Sequence, residues 1–164
     1  MRSLLIGVTL TAVTLSLAAC GGSSSSKASK EVQRDADRYQ IMRIEEDWHR
    51  SASTHNLDLM MSLWAPNATF TFQGNTSTGN AAIRQLLAAA GPFQPENHWV
   101  SDTPAYKIRS TVDGNVGTLY FECHYVDVAT HKVVAVVAAD LTLKKHDGSW
   151  RITNAVGASP LLSA

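Results

Sequence analysis

The chain has 164 residues, 45% of them hydrophobic, and its 14 lysines and arginines balance its 14 aspartates and glutamates. No basic run is longer than Lys144-Lys145, so the charge pattern excludes a nucleic-acid-binding surface and we expect no nucleic acid as a partner. Residues 30–164 are long enough for one domain with its own hydrophobic core.

The first 29 residues are predicted to export and anchor the protein rather than to fold with the domain. Residues 1–19 are typical of a signal peptide, because the positive charge of Arg2 precedes an apolar run and a small-residue cleavage site. The run ends in LAAC, which resembles the bacterial lipobox, whose cysteine becomes the lipidated first residue; here it is Cys20. Residues 20–29 are rich in Gly and Ser and predict a flexible tether.

An ordinary signal peptide with a chance cysteine is the alternative, but the small-residue site lies directly before both the cysteine and the tether, which favours lipidation. We therefore expect an exported protein, lipid-anchored through Cys20 to the cell membrane or the outer membrane. Its domain would face the periplasm or the exterior. Cys123 would then be the remaining thiol, so no disulfide within the chain is expected.

Three helices and one strand are predicted in the first half of the domain. Residues 31–53 have apolar side chains at helical spacing, in stripes made of Val32, Ala36, Tyr39 and Met42 and of Ile41, Ile44, Trp48 and Ala52. The acidic run at residues 45–47 lies mostly off these stripes and is predicted to face solvent. A short helix from Asn56 to the break at Pro66, a strand over 68–72 and a helix over 80–90 follow.

The second half predicts four strands, at residues 100–111, 116–128, 132–145 and 149–156. Helices followed by antiparallel strands indicate an α+β fold with the helices on one face of a sheet. Pairing across the turn at 129–131 places Tyr120 opposite Asp140, Glu122 opposite Ala138 and His124 opposite Val136, all on one face. The other face carries Leu119, Phe121, Cys123, Tyr125, Leu141 and Leu143.

Four segments in this order resemble the SnoaL-like branch of the nuclear transport factor 2-like superfamily: NLDLMMSLWAPNATF, GNAAIRQLL, NHWVS and DLTLKKHDGSWRITN. The resemblance implies a cystatin-like α+β barrel, in which a curved antiparallel or mixed sheet forms a cone around the N-terminal helices. It also implies a ligand pocket at the open end of the cone. Trp48, Trp64, Phe70 and Phe72 are then expected to bind the ligand as apolar walls of that pocket; for Trp64, Phe70 and Phe72 a place in the core is the alternative.

The same resemblance suggests three catalytic residues, His98, Tyr120 and Asp140, which we expect to share the ligand pocket. His98, in NHWVS, falls where scytalone dehydratase has a catalytic histidine; a histidine that only makes local hydrogen bonds at a strand edge is the alternative. Tyr120 falls near that enzyme's second catalytic histidine, and Asp140 matches the oxyanion-hole acid of ketosteroid isomerase. Both place the face with Tyr120 and Asp140 inside the cone, although the apolar opposite face is an equally good inner face.

The chain also departs from both enzymes. The positions nearest to the tyrosine and the aspartate base of ketosteroid isomerase are Trp48 and Phe72, and the aspartate of scytalone dehydratase falls near Ser53. The absence of these residues favours a binding domain over a dehydratase or isomerase that uses His98 with Tyr120 and Asp140. Such a domain would hold a small hydrophobic molecule or serve as a dimeric interaction domain. We expect no cofactor, and the six scattered histidines predict no metal site.

A homodimer is predicted from residues 133–139, VVAVVAA, because this strand is apolar on both faces. A second copy would cover the outer face of the sheet, and two-fold pairing is the commonest route to an oligomer.

Overall fold

A computed structural model describes residues 22–158, beginning with the 32-residue helix α1 (Gly22–Ser53). The predicted signal peptide and Cys20 lie outside the described residues. Two shorter helices follow, α2 (Leu57–Ser62) and α3 (Asn80–Ala88). None of the helices within residues 22–158 has the length and apolar character needed to cross a membrane.

Helix α1 starts at Gly22, nine residues before the predicted start, and so includes most of the predicted tether. Extending an existing helix is much less costly than starting one, so even Gly and Ser can be added to its N-terminus. The structure therefore has helix where a coil was expected, while the role of residues 20–29 as a tether stays a prediction. Val32 and Tyr39 are exposed, and the predicted first stripe is not a core stripe.

The sheet has seven strands, in the spatial order β2–β1–β7–β6–β5–β3, with β4 also paired to β5. The strands are β1 (Trp64–Phe72), β2 (Asn75–Thr78), β3 (Trp99–Ser101), β4 (Lys107–Asp113), β5 (Val116–Asp127), β6 (Lys132–His146) and β7 (Ser149–Ala158). Only β1 and β7 run parallel among the described pairs. This mixed, curved sheet with helices packed on it confirms the predicted α+β, cystatin-like fold.

Helix α1 packs its second stripe into the sheet. Ile41, Ile44, Trp48 and Ala52 are all buried, as predicted. They meet the inner face of β5 and β6, where Leu119, Phe121, Leu141 and Leu143 are fully buried. This burial of apolar surface is the main force that holds the helix against the sheet.

A buried ion pair connects α1 to strand β6, and a further hydrogen bond connects it to β7. Asp37, which is 5% exposed, accepts hydrogen bonds from Lys145 Nζ at 2.5 Å and from Trp150 Nε1 at 3.1 Å. Burial alone raises the pKa of Asp37, but the hydrogen bonds from Lys145, Trp150 and Gln33 outweigh it and lower the pKa below its usual value.

Three features of the sheet differ from the prediction. Strand β1 starts at Trp64 and tolerates Pro66, because the register with β7 shifts between Trp64 and Thr69 and leaves Pro66 in an exposed bulge. Strand β2 was not predicted; it follows a two-residue turn at Gln73 and Gly74, both with positive φ, which suits a tight hairpin. The predicted strand over residues 100–111 is broken into β3 and β4 by residues 102–106.

Candidate ligand-binding site

A cavity of about 300 Å³ lies between the C-terminal half of α1, strand β1 and the segment after α3. Apolar side chains dominate its lining: Trp48, Met60, Phe70, Phe72, Leu86, Leu87, Ala89, Ala90, Pro92, Phe93 and Val137. The remaining lining residues, Gln73, Asn75 and Tyr125, are polar but uncharged. A cavity of this size and character suits a small hydrophobic molecule.

Aromatic rings form the inner wall of the cavity. The ring centroids of Trp48 and Phe70 lie 6.4 Å apart in an edge-to-face arrangement, and those of Phe70 and Phe72 lie 6.0 Å apart. Trp48 also packs edge-on against Phe121, at 5.6 Å. Edge-to-face contacts of this kind hold rings in fixed orientations, so the wall has a defined shape.

Three of the four predicted wall residues line the cavity, and the fourth stands behind them. Trp48, Phe70 and Phe72 are lining residues. Trp64 is 3% exposed and packs against Trp48 and Phe70, with centroid distances of 5.9 and 5.4 Å, so it supports the wall from the core side. Trp64 therefore has the core position that is the alternative to direct contact with a ligand.

His98 does not reach the cavity. It precedes β3, and strand alternation turns His98 and Val100 outward while Trp99 and Ser101 face the interior; His98 and Val100 are exposed. It lies near Asp127, whose pKa is lowered mainly by the hydrogen bond from the Thr130 N–H and also by that from the Ala129 N–H. The structure matches the strand-edge alternative, and the expected place of His98 in the pocket is wrong.

Tyr120 and Asp140 pair in the predicted register but lie on the outer face of the sheet. Asp140 is exposed, and the Tyr120 hydroxyl donates to Glu122 instead. The apolar face of the hairpin is buried because it removes more hydrocarbon from water, whereas the opposite face would bury the charge of Asp140. The expectation that His98, Tyr120 and Asp140 share one cavity is therefore wrong.

The outer face instead holds a carboxylate satisfied by three donors. Glu122 accepts hydrogen bonds from Lys107 Nζ at 2.6 Å, from the Tyr120 hydroxyl and from the Tyr106 hydroxyl at 2.9 Å. These bonds lower the pKa of Glu122 to about 2 and raise that of Tyr106 to about 12. A carboxylate held in its charged form with every partner in place is a structural group rather than a proton acceptor near neutral pH.

A buried polar cluster, which the sequence analysis missed, lies deeper in the interior. Glu45 and His49 are both fully buried, and His49 Nε2 lies 3.1 Å from Glu45 Oε1. The same Glu45 oxygen accepts the backbone N–H of Ala105 at 2.8 Å, and His49 Nδ1 lies 2.7 Å from Ser101 Oγ. The prediction that Glu45 faces solvent is wrong, whereas Glu46 and Asp47 do pair with Arg43 and Arg50 near the surface.

The sequence did contain a signal for this cluster. Glu45 and His49 fall between Ile41 and Ala52 at spacings of four, four and three residues, which is one face of a helix. A carboxylate and a histidine inside a buried stripe indicate a paired polar group in the core. The three acidic residues at 45–47 do not share one environment: Glu45 lies on the buried face of the helix, whereas Glu46 and Asp47 do not.

Tyr125 connects the cluster to the cavity. It lines the cavity, is 4% exposed, and pairs with Ser101 of the cluster across β3 and β5. Burial raises the pKa of Tyr125, so the phenol stays protonated and acts as a hydrogen-bond donor. Burial also raises the pKa of the neighbouring Cys123 thiol to about 12.

Ser53 falls where the resemblance expects an aspartate. Its hydroxyl accepts the backbone N–H of Ser101 at 2.8 Å and so ties the end of α1 to β3. Within residues 22–158, no group of three or more His, Cys, Asp and Glu side chains is arranged to hold a metal ion. No charged side chain of the described region lines the cavity either.

The model of the SnoaL-like domain family matches residues 33–156, from within α1 to within β7. The chain belongs to the SnoaL-like family. No curated protein matches it in sequence.

Solved structures of similar fold include both enzymes and proteins of unknown function. An NTF2-like protein with a cystatin-like fold from Novosphingobium aromaticivorans is 18% identical in sequence. The match covers 88% of this chain and 95% of that protein, with a TM-score of 0.74. A hexachlorocyclohexane dehydrochlorinase from Novosphingobium barchaimii is 16% identical, with coverages of 81% and 92% and a TM-score of 0.66. A protein of unknown function from Nostoc punctiforme is 12% identical, with coverages of 77% and 92% and a TM-score of 0.66. At these identities the likeness shows the fold alone.

Proposed function

We propose that this SnoaL-like domain binds a small, uncharged, hydrophobic molecule in the cavity beside Trp48. The observation that carries the proposal is the lining itself, in which aromatic and aliphatic side chains from helices and strands surround about 300 Å³ without a charged group. An apolar molecule that leaves water for this space gains the hydrophobic contribution of its buried surface. A charged molecule would lose its hydration without a partner.

We further propose that the domain is exported and lipid-anchored at Cys20. The support is the LAAC motif followed by a Gly- and Ser-rich stretch. A binding domain held at a membrane surface lies close to the lipid bilayer, where hydrophobic molecules concentrate. The anchor and the apolar cavity are therefore consistent with one another.

The enzymatic alternative has less support. A general base must come within about 2.6–3.2 Å of the proton that it removes. The proposed residues His98, Tyr120 and Asp140 lie outside the cavity. A related dehydrochlorinase shares the fold, but fold alone does not assign chemistry.

The proposal is tested by filling the cavity. Ala90 lines it, so Ala90→Trp should occupy much of the space and reduce the affinity for an aromatic probe such as naphthalene at least tenfold. Ala88 is an exposed residue of α3 that does not line the cavity, and Ala88→Trp is the matched control. Titration calorimetry should give a negative heat-capacity change for the unmodified protein. Equal naphthalene affinity in both variants would show that the probe binds elsewhere.

A further inference from the structure

The polar groups around the cavity fall into an exposed pair and a buried pair. Gln73 lies in the turn between β1 and β2, and Asn75 is the first residue of β2. Both are exposed and form the rim of the cavity. Tyr125 and the indole of Trp48 are buried and form the floor. A ligand that enters past the rim therefore passes apolar walls before it meets a second polar region.

The floor phenol is held from behind by the buried polar cluster. Ser101, the cross-strand partner of Tyr125, has its hydroxyl 2.7 Å from His49 Nδ1, and its N–H is bonded to Ser53. His49 is in turn 3.1 Å from Glu45, whose Oε1 accepts the Ala105 N–H. Tyr125 is thus paired with a residue that the cluster fixes, and its phenol is the hydroxyl group among the lining side chains, able both to donate and to accept a hydrogen bond.

The cavity volume limits the size of the ligand. A protein cavity of about 150 Å³ holds one benzene molecule, so about 300 Å³ corresponds to roughly ten to twelve non-hydrogen atoms. Two fused six-membered rings fill such a space. The aromatic wall formed by Trp48, Phe70 and Phe72 suits a flat molecule of this kind.

We infer that the Tyr125 hydroxyl is a polar anchor at the floor of the cavity, and that the ligand is a one- or two-ring hydrophobic molecule with a single hydroxyl or carbonyl oxygen at its buried end. This inference rests on the proposed binding function and specifies its ligand class. Tyr125 donates to the ligand oxygen, while the rest of the molecule contacts the apolar walls. Such a ligand avoids burying the phenol without a partner, which a plain hydrocarbon cannot do.

The inference is tested with two probes of almost the same shape, naphthalene and 2-naphthol, and the purified full-length protein. The hydroxyl should give 2-naphthol about a three- to tenfold lower Kd than naphthalene, which is the effect of one buried hydrogen bond. Tyr125→Phe removes only the phenol oxygen and should abolish or invert this preference, because the naphthol hydroxyl is then buried without its donor. The readout is the ratio of the two Kd values in each protein, which compares the two probes in the same cavity.

Tyr106→Phe is the matched control, since it also removes a hydrogen-bonded phenol but at the outer face, beside Glu122. It should leave the 2-naphthol preference unchanged. Failure of both probes to bind would overturn the binding function and this inference together. Binding of both probes with a preference that Tyr125→Phe does not alter, or with no preference at all, would overturn the anchor and leave the binding function standing. Circular dichroism and the urea midpoint of each variant identify any loss of folding.

Discussion

The buried ion pair between α1 and the sheet should contribute much more to stability than a surface pair of nearly equal length. Asp37 is 5% exposed and bonds Lys145 at 2.5 Å, whereas Asp58 bonds Arg84 at 2.6 Å with its side chain 85% exposed. Asp37→Asn and Asp58→Asn remove the same charge from each pair. Only the first leaves a largely buried ammonium group without its counter-charge.

The expected loss follows from how far Lys145 can recover water. Removing one partner of a fully buried pair costs about 3–5 kcal/mol, but the Lys145 side chain is 17% exposed and can partly rehydrate. We therefore expect Asp37→Asn to lower the free energy of unfolding by about 2–3 kcal/mol. Asp58→Asn should change it by less than about 1 kcal/mol, as for other exposed pairs.

Urea unfolding followed by tryptophan fluorescence measures both changes. With a slope of about 2 kcal/mol per molar urea, 2–3 kcal/mol corresponds to a midpoint lower by about 1–1.5 M. Losses of equal size in the two variants would refute the conclusion that burial decides the contribution. A small loss in both would show that Lys145 is well solvated once Asp37 is neutral.

The same pair gives a pH dependence with a definite sign. The folded-state pKa of Asp37 lies below its ordinary value of 3.8, so the unfolded chain takes up the proton first as the pH falls. The stabilisation by Asp37 is therefore complete well above pH 3.8 and is lost as the pH falls through the folded-state pKa. The difference in urea midpoint between the unmodified protein and Asp37→Asn should be constant near neutral pH and should shrink in acid. A difference that grew in acid would contradict this sign.

Three further predictions concern the anchor, the assembly and the thiol. Cys20→Ser should release the protein from the membrane fraction and abolish fatty-acid labelling; persistent labelling would exclude Cys20 as the anchor site. The domain should sediment as a dimer at micromolar concentration, and Val156→Glu, at a 48% exposed position opposite Asp140 on the outer face, should make it a monomer. Cys123, fully buried with its pKa raised to about 12, should resist thiol reagents at pH 8 in the folded Cys20→Ser protein and react on unfolding; rapid reaction in the folded state would contradict its burial.

Strand pairing was the most predictable part of the fold because it depends on local signals. The turn at residues 129–131 and the two-residue alternation fix which residues face each other, and the pairs of Tyr120 with Asp140 and Glu122 with Ala138 are confirmed. The same signals do not determine which face is inside. The inner face depends on which helix side chains pack against the sheet. Helix α1 presents Trp48 and Ala52, which lie in the same core cluster as the apolar face.

The cavity was only partly predictable because its walls come from distant parts of the chain. Trp48, Phe70 and Phe72 were identified through the family resemblance, whereas Phe93 and Tyr125 were not. Phe93 lies in the short 3₁₀ turn after α3, where the sequence has no periodicity to interpret. Tyr125 was placed on the apolar face of β5 but not at its end beside the cavity, because helix packing sets how far the interior is filled along the strand.

The interior of the cone has polar groups that are fixed before any ligand arrives. Ser101 is held through both its N–H, which bonds Ser53, and its hydroxyl, which meets His49. Glu45 is likewise held by the Ala105 N–H, so neither carboxylate nor imidazole has to move to keep the Ser101 hydroxyl beside Tyr125. Fixing a donor in the free protein removes the entropic cost of ordering it on binding. The fixed Tyr125 hydroxyl therefore favours a ligand with an oxygen that can accept its hydrogen bond. A ligand without such an oxygen gains no binding free energy from this group.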